Sequence, residues 1–419
     1  MRNCSLVGLV TMLLARLLER IITIGWLRVV DAGGIVHSFA GSPGPSVTIR
    51  LHDPALHGKL AARPRLYFGE AFVDGTLTIE EGGLYDLIDL LAVNIEALPA
   101  GPLGRILNGS LGPLRRLHQY NPLRRARRNV AHHYDLSDQL YELFLDQDLQ
   151  YSCGYFRAHT DDLDTAQLSK KRHIATKLLI SPGQKVLDIG SGWGGLALHL
   201  ASECGADVTG LTLSAEQHKV ATRRAAAAGL SDRVRFYLRD YREEIGQYDR
   251  IVSVGMFEHV GVNHYAAFFT KLKSLLAGDG VALLHSIGRK DGPGTTSPWI
   301  RKYIFPGGYV PALSEVLPIT EKLRLWVTDI EIFRLHYAET LKAWRWRFER
   351  NRERVRGLYD ERFCRMWEMY LVGSEITFRR QDFMVFQMQL AKAVDAVPLT
   401  RDYMLDWESE RSAATDRAA

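Results

Sequence analysis

Hydrophobic residues near the N-terminus follow a helical period and then change to short, strand-like segments. An amphipathic helix is predicted, with an apolar face formed by Leu13, Leu14, Leu17, Leu18, Ile21 and Ile22. Between Gly25 and Ile79, the segments WLRVVDAGG, VTIRLHD and RLYFGEAFVDGTLTI predict strands. The pairs Gly33-Gly34 and Asp74-Gly75 are typical of hairpin turns. This part of the chain is therefore predicted to form a small α+β domain.

The segment that follows these strands predicts a helix and then a linker. LYDLIDLLAVNIEAL, residues 84–98, has helical periodicity, whereas residues 99–129 are rich in glycine, proline and arginine. A chain of 419 residues with 46% hydrophobic content is longer than one ordinary domain needs. We therefore predict two domains, residues 1–120 and 121–419, with the boundary near residue 120.

From Gln184 onward, β-branched apolar runs alternate with stretches rich in alanine and leucine. The runs are KVLDIG, DVTGLTL, RVRFYLRD, YDRIVSVG and GVALLHSIG. Continuous apolar runs of this kind are typical of parallel strands that helices cover on both faces. The second domain is therefore predicted to be α/β, with a doubly wound parallel sheet.

The cysteines give no sign of a disulfide framework or a metal site. Cys4, Cys153, Cys204 and Cys364 lie far apart, with no C-x-x-C pair and no histidine at zinc-ligand spacing. We expect reduced thiols, a cytoplasmic location and no bound metal.

The first residues form an apolar run that charges at Arg16, Glu19 and Arg20 interrupt, so it is too short to span a bilayer. A secretory signal is disfavoured, because only Arg2 precedes the run and no small-residue cleavage site follows it. Two interpretations stay open: a helix packed on its own domain, and a helix lying on a membrane surface. Met12 lies inside this segment, so an over-called translation start before it also stays open.

Arginine accumulates between Glu96 and Asp135, where no acidic residue occurs. The arginines are Arg105, Arg115, Arg116, Arg124, Arg125, Arg127 and Arg128. Binding to an anionic membrane surface and a solvated linker are the two open interpretations. Nucleic acid is disfavoured as a partner, because no stacking aromatic residues accompany these charges and no nucleic-acid-binding motif occurs.

A glycine-rich turn follows the first strand of the second domain. VLDIGSGWGG places Asp188 at the end of the strand and Gly190 and Gly192 in the turn before a helix that begins near Leu196. Such a turn lets a ligand approach the backbone, and the helix N-terminus offers free N–H groups. The pattern also fits a dinucleotide site, which expects an acidic residue at the end of the second strand. That strand, DVTGLTL, does not end in an acid, so the glycine motif by itself leaves the ligand open.

Several longer motifs together resemble the cyclopropane-fatty-acyl-phospholipid synthase family of S-adenosylmethionine-dependent methyltransferases. They are HYDLSDQLYELFLDQDLQYSCGYF, VLDIGSGWGGLALHLA, GLTLSAEQ, DRIVSVGMFEHVG, LLHSIG, YIFPGGYVP and HYAETLKAW, in that order. The resemblance extends from about His132 to Ala393. It implies a Rossmann-like class I methyltransferase sheet. The N-terminal part resembles the extra, lipid- or membrane-associated domain of the phospholipid-modifying members.

The resemblance also implies the site residues. S-adenosyl-L-methionine is expected at Tyr151, Ser152, Asp188, Gly190, Gly192, Thr212, Gln217, Asp240 and Tyr241. The catalytic base is expected to be a bound bicarbonate, held by the side chains of Glu258, His285 and Tyr337 and by backbone groups of Cys153 and Ile287. Cys153 is therefore interpreted as a wall of the anion pocket rather than a nucleophile, because transfer of a methyl group to an alkene offers no carbonyl-like electrophile.

The aromatic residues suit a reaction that passes through a carbocation, because aromatic faces can stabilise a cation without trapping it. The candidates, for which simple core packing is the alternative, are Phe257, Tyr265, Phe268, Phe269, Tyr303, Phe305 and Tyr309.

The expected function is the transfer of a methylene group across a cis double bond of an unsaturated phospholipid acyl chain, which forms a cyclopropane ring. The alternatives are a methyl-branched product, methylation of a small amine, and a non-catalytic lipid-binding relative. The expected setting is the inner face of the cytoplasmic membrane, with peripheral association, and a homodimer is a further possibility.

Overall fold

The computed structural model describes residues 6–98 and 137–406. The arginine-rich segment and the predicted boundary near residue 120 lie outside the described residues. The chain divides into two compact units. Within the described residues, the first contains the N-terminal segment together with residues 294–306 and 341–382, and the second contains residues 137–293, 307–340 and 383–406. Two stretches of the C-terminal half therefore cluster with the N-terminal segment, and these tertiary contacts have no signature in local periodicity.

The first unit contains a four-stranded sheet with the order β2-β1-β3-β4. Its strands are β1 (Ile24–Val30), β2 (Val36–Ala40), β3 (Ser42–Leu51) and β4 (Leu77–Glu81). Its helices span Leu6–Ile21, Leu56–Ala62, Pro64–Val73, Leu84–Glu96, Pro298–Tyr303, Arg352–Leu358 and Glu361–Arg380. The β1–β2 hairpin confirms the turn predicted at Gly33-Gly34, and the helix predicted over residues 84–98 is also confirmed.

One predicted strand is wrong. Residues 64–73 form a helix, and the strand of that segment begins only at Leu77. Pro64 stands in the first turn of the helix, where its fixed φ and missing N–H favour a helix start. Gly69 packs against the Trp299 ring, where an added Cβ would lie 2.6 Å from the indole. Asp74-Gly75 therefore joins a helix to β4 and does not form a hairpin.

The N-terminal helix packs on its own unit. Leu14, Ile21 and the following Ile22 are buried among the strands and helices of that unit, whereas Leu13 is 58% exposed. The burial of this face supports the interpretation that the helix packs on its own domain. Among the helices within residues 6–98 and 137–406, none is long and apolar enough to cross a membrane.

The second unit contains a seven-stranded sheet with the order β10-β11-β9-β8-β5-β6-β7. Its strands are β5 (Lys185–Ile189), β6 (Asp207–Thr212), β7 (Val234–Leu238), β8 (Tyr248–Val254), β9 (Leu276–Arg289), β10 (Trp326–Phe333) and β11 (Phe383–Ala391). The first five pair in parallel, and β10 and β11 are antiparallel. The predicted doubly wound α/β sheet is thus confirmed.

Both faces of this sheet are buried. On β5, Leu187 and Ile189 belong to one hydrophobic cluster, whereas Val186 belongs to a second cluster on the other face. The helices of this unit span Asp138–Phe144, Leu163–Leu178, Gly195–Cys204, Ala215–Ala227, Tyr265–Leu275 and Leu313–Lys322. A further helix, His336–Arg350, begins in this unit. Because apolar residues face both clusters, the strands read as continuous apolar runs rather than alternating ones.

Candidate active site

The glycine turn after β5 opens the backbone toward a pocket. Gly190 and Gly192 have φ values of 90° and 55°, which side chains with a Cβ rarely adopt. A Cβ added at Gly190 would lie 2.9 Å from Met256 Cβ. The next helix begins at Gly195, in agreement with the predicted start near Leu196. The turn therefore presents a backbone without side chains at Gly190 and Gly192 to the pocket, where a ligand can approach closely.

All nine residues expected at the cofactor line this one pocket. They are Tyr151, Ser152, Asp188, Gly190, Gly192, Thr212, Gln217, Asp240 and Tyr241. They come from the segment before residue 153, the end of β5 with its glycine turn, the end of β6 with the helix that follows it, and the turn after β7. Parallel strands bring their carboxyl ends to the same edge of the sheet, which is why residues so far apart in sequence meet here.

Asp188 is the strongest sign that this pocket takes a polar ligand. It is 1% exposed, and its Oδ2 atom has no hydrogen-bond partner among the described residues. Burial raises the pKa of Asp188 to about 7, and the nearby positive charge of Lys170 only partly opposes that shift. A ligand with hydroxyl or ammonium donors would satisfy the free oxygen and favour the ionised carboxylate. The donors of S-adenosylmethionine fit this requirement.

The remaining polar residues of the pocket are held in place by their neighbours. Thr212 Oγ1 donates to Gln217 Oε1 at 3.0 Å. The Asp240 carboxylate accepts two hydrogen bonds of 2.8 Å from the Arg242 guanidinium. Tyr241 packs edge-on against Phe268, with ring centroids 5.4 Å apart. These contacts fix the side chains before any ligand binds, which lowers the entropic cost of binding.

The wall around Ser152 is supported from the helix Leu163–Leu178. Gln167 Nε2 donates to the Ser152 carbonyl oxygen at 2.9 Å. Lys170 Nζ donates to Gln150 Oε1 at 2.6 Å and to Ser152 Oγ at 2.8 Å. Sequence reasoning missed Gln167 and Lys170. A lysine within a helical stretch looks like a solvated residue, and only the tertiary structure shows that this one is buried.

Glu258 is a second buried and incompletely paired carboxylate. It lies in a 3-10 turn just after β8, and its Oε1 accepts the Ile287 N–H at 2.6 Å. Its Oε2 is buried with no hydrogen-bond partner in the described part of the chain. Burial raises the pKa of Glu258 to about 7, although hydrogen bonds to Ile287 and Ser286 oppose the shift. The Ile287 N–H, which we expected at the anion, thus donates to Glu258.

His285 lies on β9 opposite Val254, the last residue of β8. Burial and nearby lysines lower the pKa of His285 well below its usual value, so the imidazole is neutral. Its Nδ1 lies 3.1 Å from Gln387 Nε2 on the neighbouring strand. Because that amide nitrogen is a donor, Nδ1 acts as acceptor and the ring proton is on Nε2. Gln387 is a positioning residue that the sequence alone did not reveal, since it pairs with His285 only through the strand register.

Cys153 is a buried residue that packs in the wall of the expected anion site. It is 1% exposed, burial raises the pKa of its thiol, and Sγ donates to the Gly154 carbonyl oxygen at 3.2 Å. A nucleophilic cysteine needs a depressed pKa, so the chemistry of this thiol favours the non-covalent interpretation. The Gly154 N–H donates to Thr340 Oγ1 at 2.9 Å. The helix turn that carries Tyr337, itself buried, therefore adjoins the Cys153 segment.

Most of the aromatic candidates pack with each other or bond to nearby side chains. Phe257 stacks on Tyr265 at 4.2 Å and contacts Phe268 and Phe269, and all four are fully buried in the core. The Tyr309 hydroxyl donates to Glu315 Oε2 at 2.7 Å. Tyr303 and Phe305 belong to the first unit, where the Tyr303 hydroxyl donates to Glu70 and Phe305 packs on Tyr370. Core packing accounts for the buried four.

The described residues include no group of three or more histidines, cysteines and acids that could hold a metal ion. The carboxyl edge of the seven-stranded sheet instead carries the glycine turn, the buried carboxylates of Asp188 and Glu258, and the neutral imidazole of His285. Together, this sheet and this pocket define the class I S-adenosylmethionine-dependent methyltransferases.

Comparison with known proteins identifies the family. Residues 121–388 match the family model of mycolic acid cyclopropane synthetase, and the chain belongs to this family of S-adenosylmethionine-dependent methyltransferases. The cyclopropane-fatty-acyl-phospholipid synthase of Escherichia coli (strain K12) is 36% identical over 351 residues, 83% of this chain and 88% of that protein. Tuberculostearic acid methyltransferase UfaA1 of Mycobacterium tuberculosis is 36% identical over 395 residues, 90% of each chain.

A solved structure with sequence similarity agrees with this assignment. The mycolic acid cyclopropane synthase CmaA1, complexed with SAH and CTAB, has a TM-score of 0.60 and 32% sequence identity. It covers 64% of this chain and 98% of its own. The resemblance stated from the sequence motifs is therefore confirmed.

Cofactor affinity should depend on pH through Asp188. Because burial raises the pKa of Asp188 to about 7, the free protein binds a proton there as pH falls below 7. A cofactor that prefers the ionised carboxylate must displace this proton, so its dissociation constant should rise by up to about tenfold per pH unit below 7. Above pH 7 the affinity should level off. Isothermal titration calorimetry with S-adenosylmethionine between pH 6 and 8 measures the dependence.

The matched controls are two asparagine variants. Asp188→Asn should weaken binding and remove the pH dependence. Asp207→Asn, at the start of β6 in an exposed ion pair with Arg235, should leave both unchanged. An affinity that is constant from pH 6 to 8 in the unmodified protein would contradict the assignment of Asp188.

Proposed function

We propose that the protein transfers a methylene group from S-adenosylmethionine across a cis double bond of a phospholipid acyl chain and closes a cyclopropane ring. The observation that carries this proposal is Glu258, a buried carboxylate with one oxygen bound to the Ile287 N–H and the other without a partner among the described residues. Ring closure needs a proton acceptor close to the reacting carbon atoms. A buried carboxylate beside a neutral imidazole is suited to hold such an acceptor.

The chemistry divides between methyl transfer and proton removal. S-adenosylmethionine, when bound, supplies an activated methyl group, and Asp188, Gln217 and the glycine turn would hold it. Since an alkene is a weak nucleophile, the pocket contributes orientation and exclusion of water. Methylation of one alkene carbon leaves a cation on the other. A C–H bond of the new methyl group then breaks, its electron pair closes the ring, and the proton leaves.

We propose that bicarbonate, when bound, supplies the base for this proton. Glu258, His285 and Tyr337 would hold it, with backbone groups of Cys153 and Ile287 close by. With a pKa near 7, Glu258 can accept a hydrogen bond from the bicarbonate hydroxyl or share a proton with it. The His285 Nε2–H, oriented by Gln387, is a donor for a bicarbonate oxygen. The free Oε2 of Glu258 supports this assignment, because it needs a donor.

A methyl-branched product is the second candidate, favoured by the 36% identity to tuberculostearic acid methyltransferase over 90% of each chain. If a hydride moves to the cationic carbon before the proton is lost, the same deprotonation gives a methylene branch, a C=CH2 group on the linear acyl chain. Conversion of that group to a methyl branch takes a hydride and a proton, which a separate nicotinamide-dependent reductase would have to supply. Both routes use one methyl transfer and one base, so the residues around Glu258 serve either route.

Lipid analysis distinguishes the two products. The protein should be expressed in a host that lacks its own cyclopropane synthase, and the lipids examined by mass spectrometry before and after ozonolysis. A cyclopropane product gains one CH2 per acyl chain and resists ozone, because the alkene is lost. An ozone-sensitive product with the same mass gain would indicate a methylene branch, and a further gain of two hydrogens would indicate a methyl branch. Unchanged lipids would contradict both candidates.

Replacement of Glu258 should separate binding from turnover. Glu258→Gln removes the charge and the proton acceptor but keeps the shape, so turnover should fall by about a hundredfold or more. The dissociation constant for S-adenosylmethionine should stay close to that of the unmodified protein, because Glu258 does not line the cofactor pocket. Single-turnover assays and calorimetry measure the two effects.

Cys153→Ser is the matched control for that experiment. Serine keeps the backbone and nearly the same volume, so this variant should keep substantial activity and remain dependent on bicarbonate. Ring formation at a near-normal rate by Glu258→Gln would refute the assigned base site. Complete loss of activity in a folded, cofactor-binding Cys153→Ser variant would indicate that the thiol takes part in the reaction.

We propose further that the protein associates with an anionic membrane at its cytoplasmic face, where its lipid substrate lies. The arginine-rich segment between Glu96 and Asp135 supports this proposal by its composition, because each basic residue near an anionic bilayer contributes roughly 1 kcal/mol of attraction. Replacement of Arg124, Arg125, Arg127 and Arg128 by glutamine should weaken binding to phosphatidylglycerol vesicles and reduce its salt sensitivity. Vesicle co-sedimentation at low and high salt measures the change, and equal binding at low salt would favour the linker interpretation.

A further inference from the structure

One buried cation of the second unit has no direct counter-ion. Lys170 has no exposed surface, and its ammonium group donates only to the neutral oxygens Gln150 Oε1, at 2.6 Å, and Ser152 Oγ, at 2.8 Å. Within the described residues it forms no ion pair. A buried charge without a partner is costly, so its presence calls for a compensating anion or a functional reason.

Two other lysines on the same helix each form an ion pair with a carboxylate. Lys171 forms an ion pair with Asp148 at 2.5 Å. Lys177 pairs with Glu331 and lies 3.4 Å from Asp329. Each of these cations contacts a carboxylate, as buried cations generally do. Lys170 differs from both, although it belongs to the same helix and is the most deeply buried of the three.

The charged and titratable groups that face Lys170 come from several elements. They are Asp146 and Asp148 before the cofactor wall, Lys171 on its own helix, Cys153, Asp188 at the end of β5, and His285 on β9. The two nearest acids are engaged elsewhere. Asp146 accepts the Gln150 N–H at 2.8 Å, and Asp148 pairs with Lys171 and Arg224. The positive charge of Lys170 therefore acts on the cofactor pocket and on the site around Cys153 and His285.

The site around Cys153 and His285 would have to bind an anion close to a negatively charged side chain. It is expected to hold a small anion beside the carboxylate of Glu258, and two like charges repel strongly where water is excluded. His285 is neutral and adds no compensating charge. The buried ammonium of Lys170, which is bound to Ser152 beside Cys153 and whose charge acts on His285, would offset the repulsion. Burial lowers the pKa of Lys170 to about 8, so the group is still mainly protonated at pH 7.

We propose that Lys170 is a positioning residue that supplies the positive charge required for the anion to bind at Glu258 and His285. Ser152 and Gln150 hold the ammonium group by hydrogen bonds. The negative charge of the bound anion then balances the positive charge of Lys170 without direct contact. This inference rests on the proposed function, because it assigns the anion to the base of ring closure. Among the described residues that face the site, Lys170 is the cation that lacks a carboxylate partner.

The decisive measurement is the bicarbonate dependence of turnover in Lys170→Met. Methionine has nearly the same length and packs in an apolar site, so the charge is removed with little change in volume. The bicarbonate concentration for half-maximal activity should increase about tenfold or more, equivalent to about 1.4 kcal/mol of lost binding. Because Lys170 also supports Ser152 and favours the ionised form of Asp188, the variant should bind the cofactor more weakly as well. The bicarbonate dependence is therefore measured at a saturating S-adenosylmethionine concentration, with the dissociation constant for S-adenosylhomocysteine determined separately.

Lys171→Met is the matched control, because it removes the same charge one residue along the same helix. Lys171 is already neutralised by Asp148, so its loss should leave the half-maximal bicarbonate concentration unchanged. Equal half-maximal bicarbonate concentrations in the two variants would overturn the proposal. If Lys170→Met does not fold, the unmodified protein supplies the test. Its half-maximal bicarbonate concentration should rise above pH 8 as Lys170 loses its proton, and a constant value from pH 7 to 9 would overturn the proposal.

The result also separates this inference from the proposed function. Turnover of the unmodified protein that does not respond to removal and restoration of bicarbonate would refute the base assignment itself, and with it the role of Lys170. Bicarbonate-dependent turnover with the same half-maximal concentration in Lys170→Met would refute only the role of Lys170.

Discussion

The parallel pairing of β5 with β6 on one side and β8 on the other is the constraint on which the site depends. Asp188 lies opposite Gly210 of β6 and Val252 of β8, and Val254 at the end of β8 lies opposite His285 of β9. This register brings the acidic end of β5 and the imidazole of β9 to the same edge of the sheet. A shift of one residue would turn each side chain to the other face and destroy the arrangement.

Burial sets the chemistry of the groups collected at that edge. Desolvation raises the pKa values of Asp188 and Glu258 to about 7 and lowers the pKa of His285 well below its usual value. Each of the two carboxylates therefore gains or loses its proton near neutral pH. The imidazole of His285 stays neutral and donates a hydrogen bond through Nε2. Perturbed groups of this kind are typical of functional sites, because a structural core would pair them fully.

The same pocket is compatible with more than one lipid product. Transfer of a methyl group and removal of one proton are common to a cyclopropane and a methylene-bearing chain, and the two relatives at 36% identity are named for different products. In the proposed mechanism, the two products separate in the path of the substrate cation after methylation.

The sequence by itself determined the α/β class and the parallel strands of the second domain, because those signals are local, and its family resemblance supplied the residues expected at the cofactor. Apolar runs reveal buried strands, and a glycine turn after VLDIG must adopt backbone angles that few other residues allow. The tertiary structure alone decided that residues 64–73 form a helix, that residues 294–306 and 341–382 join the first unit, and that Gln387 orients His285. It also decided that Lys170 is buried with no carboxylate partner within residues 6–98 and 137–406. These features come from contacts between residues distant in the chain, and local periodicity carries no information about such contacts.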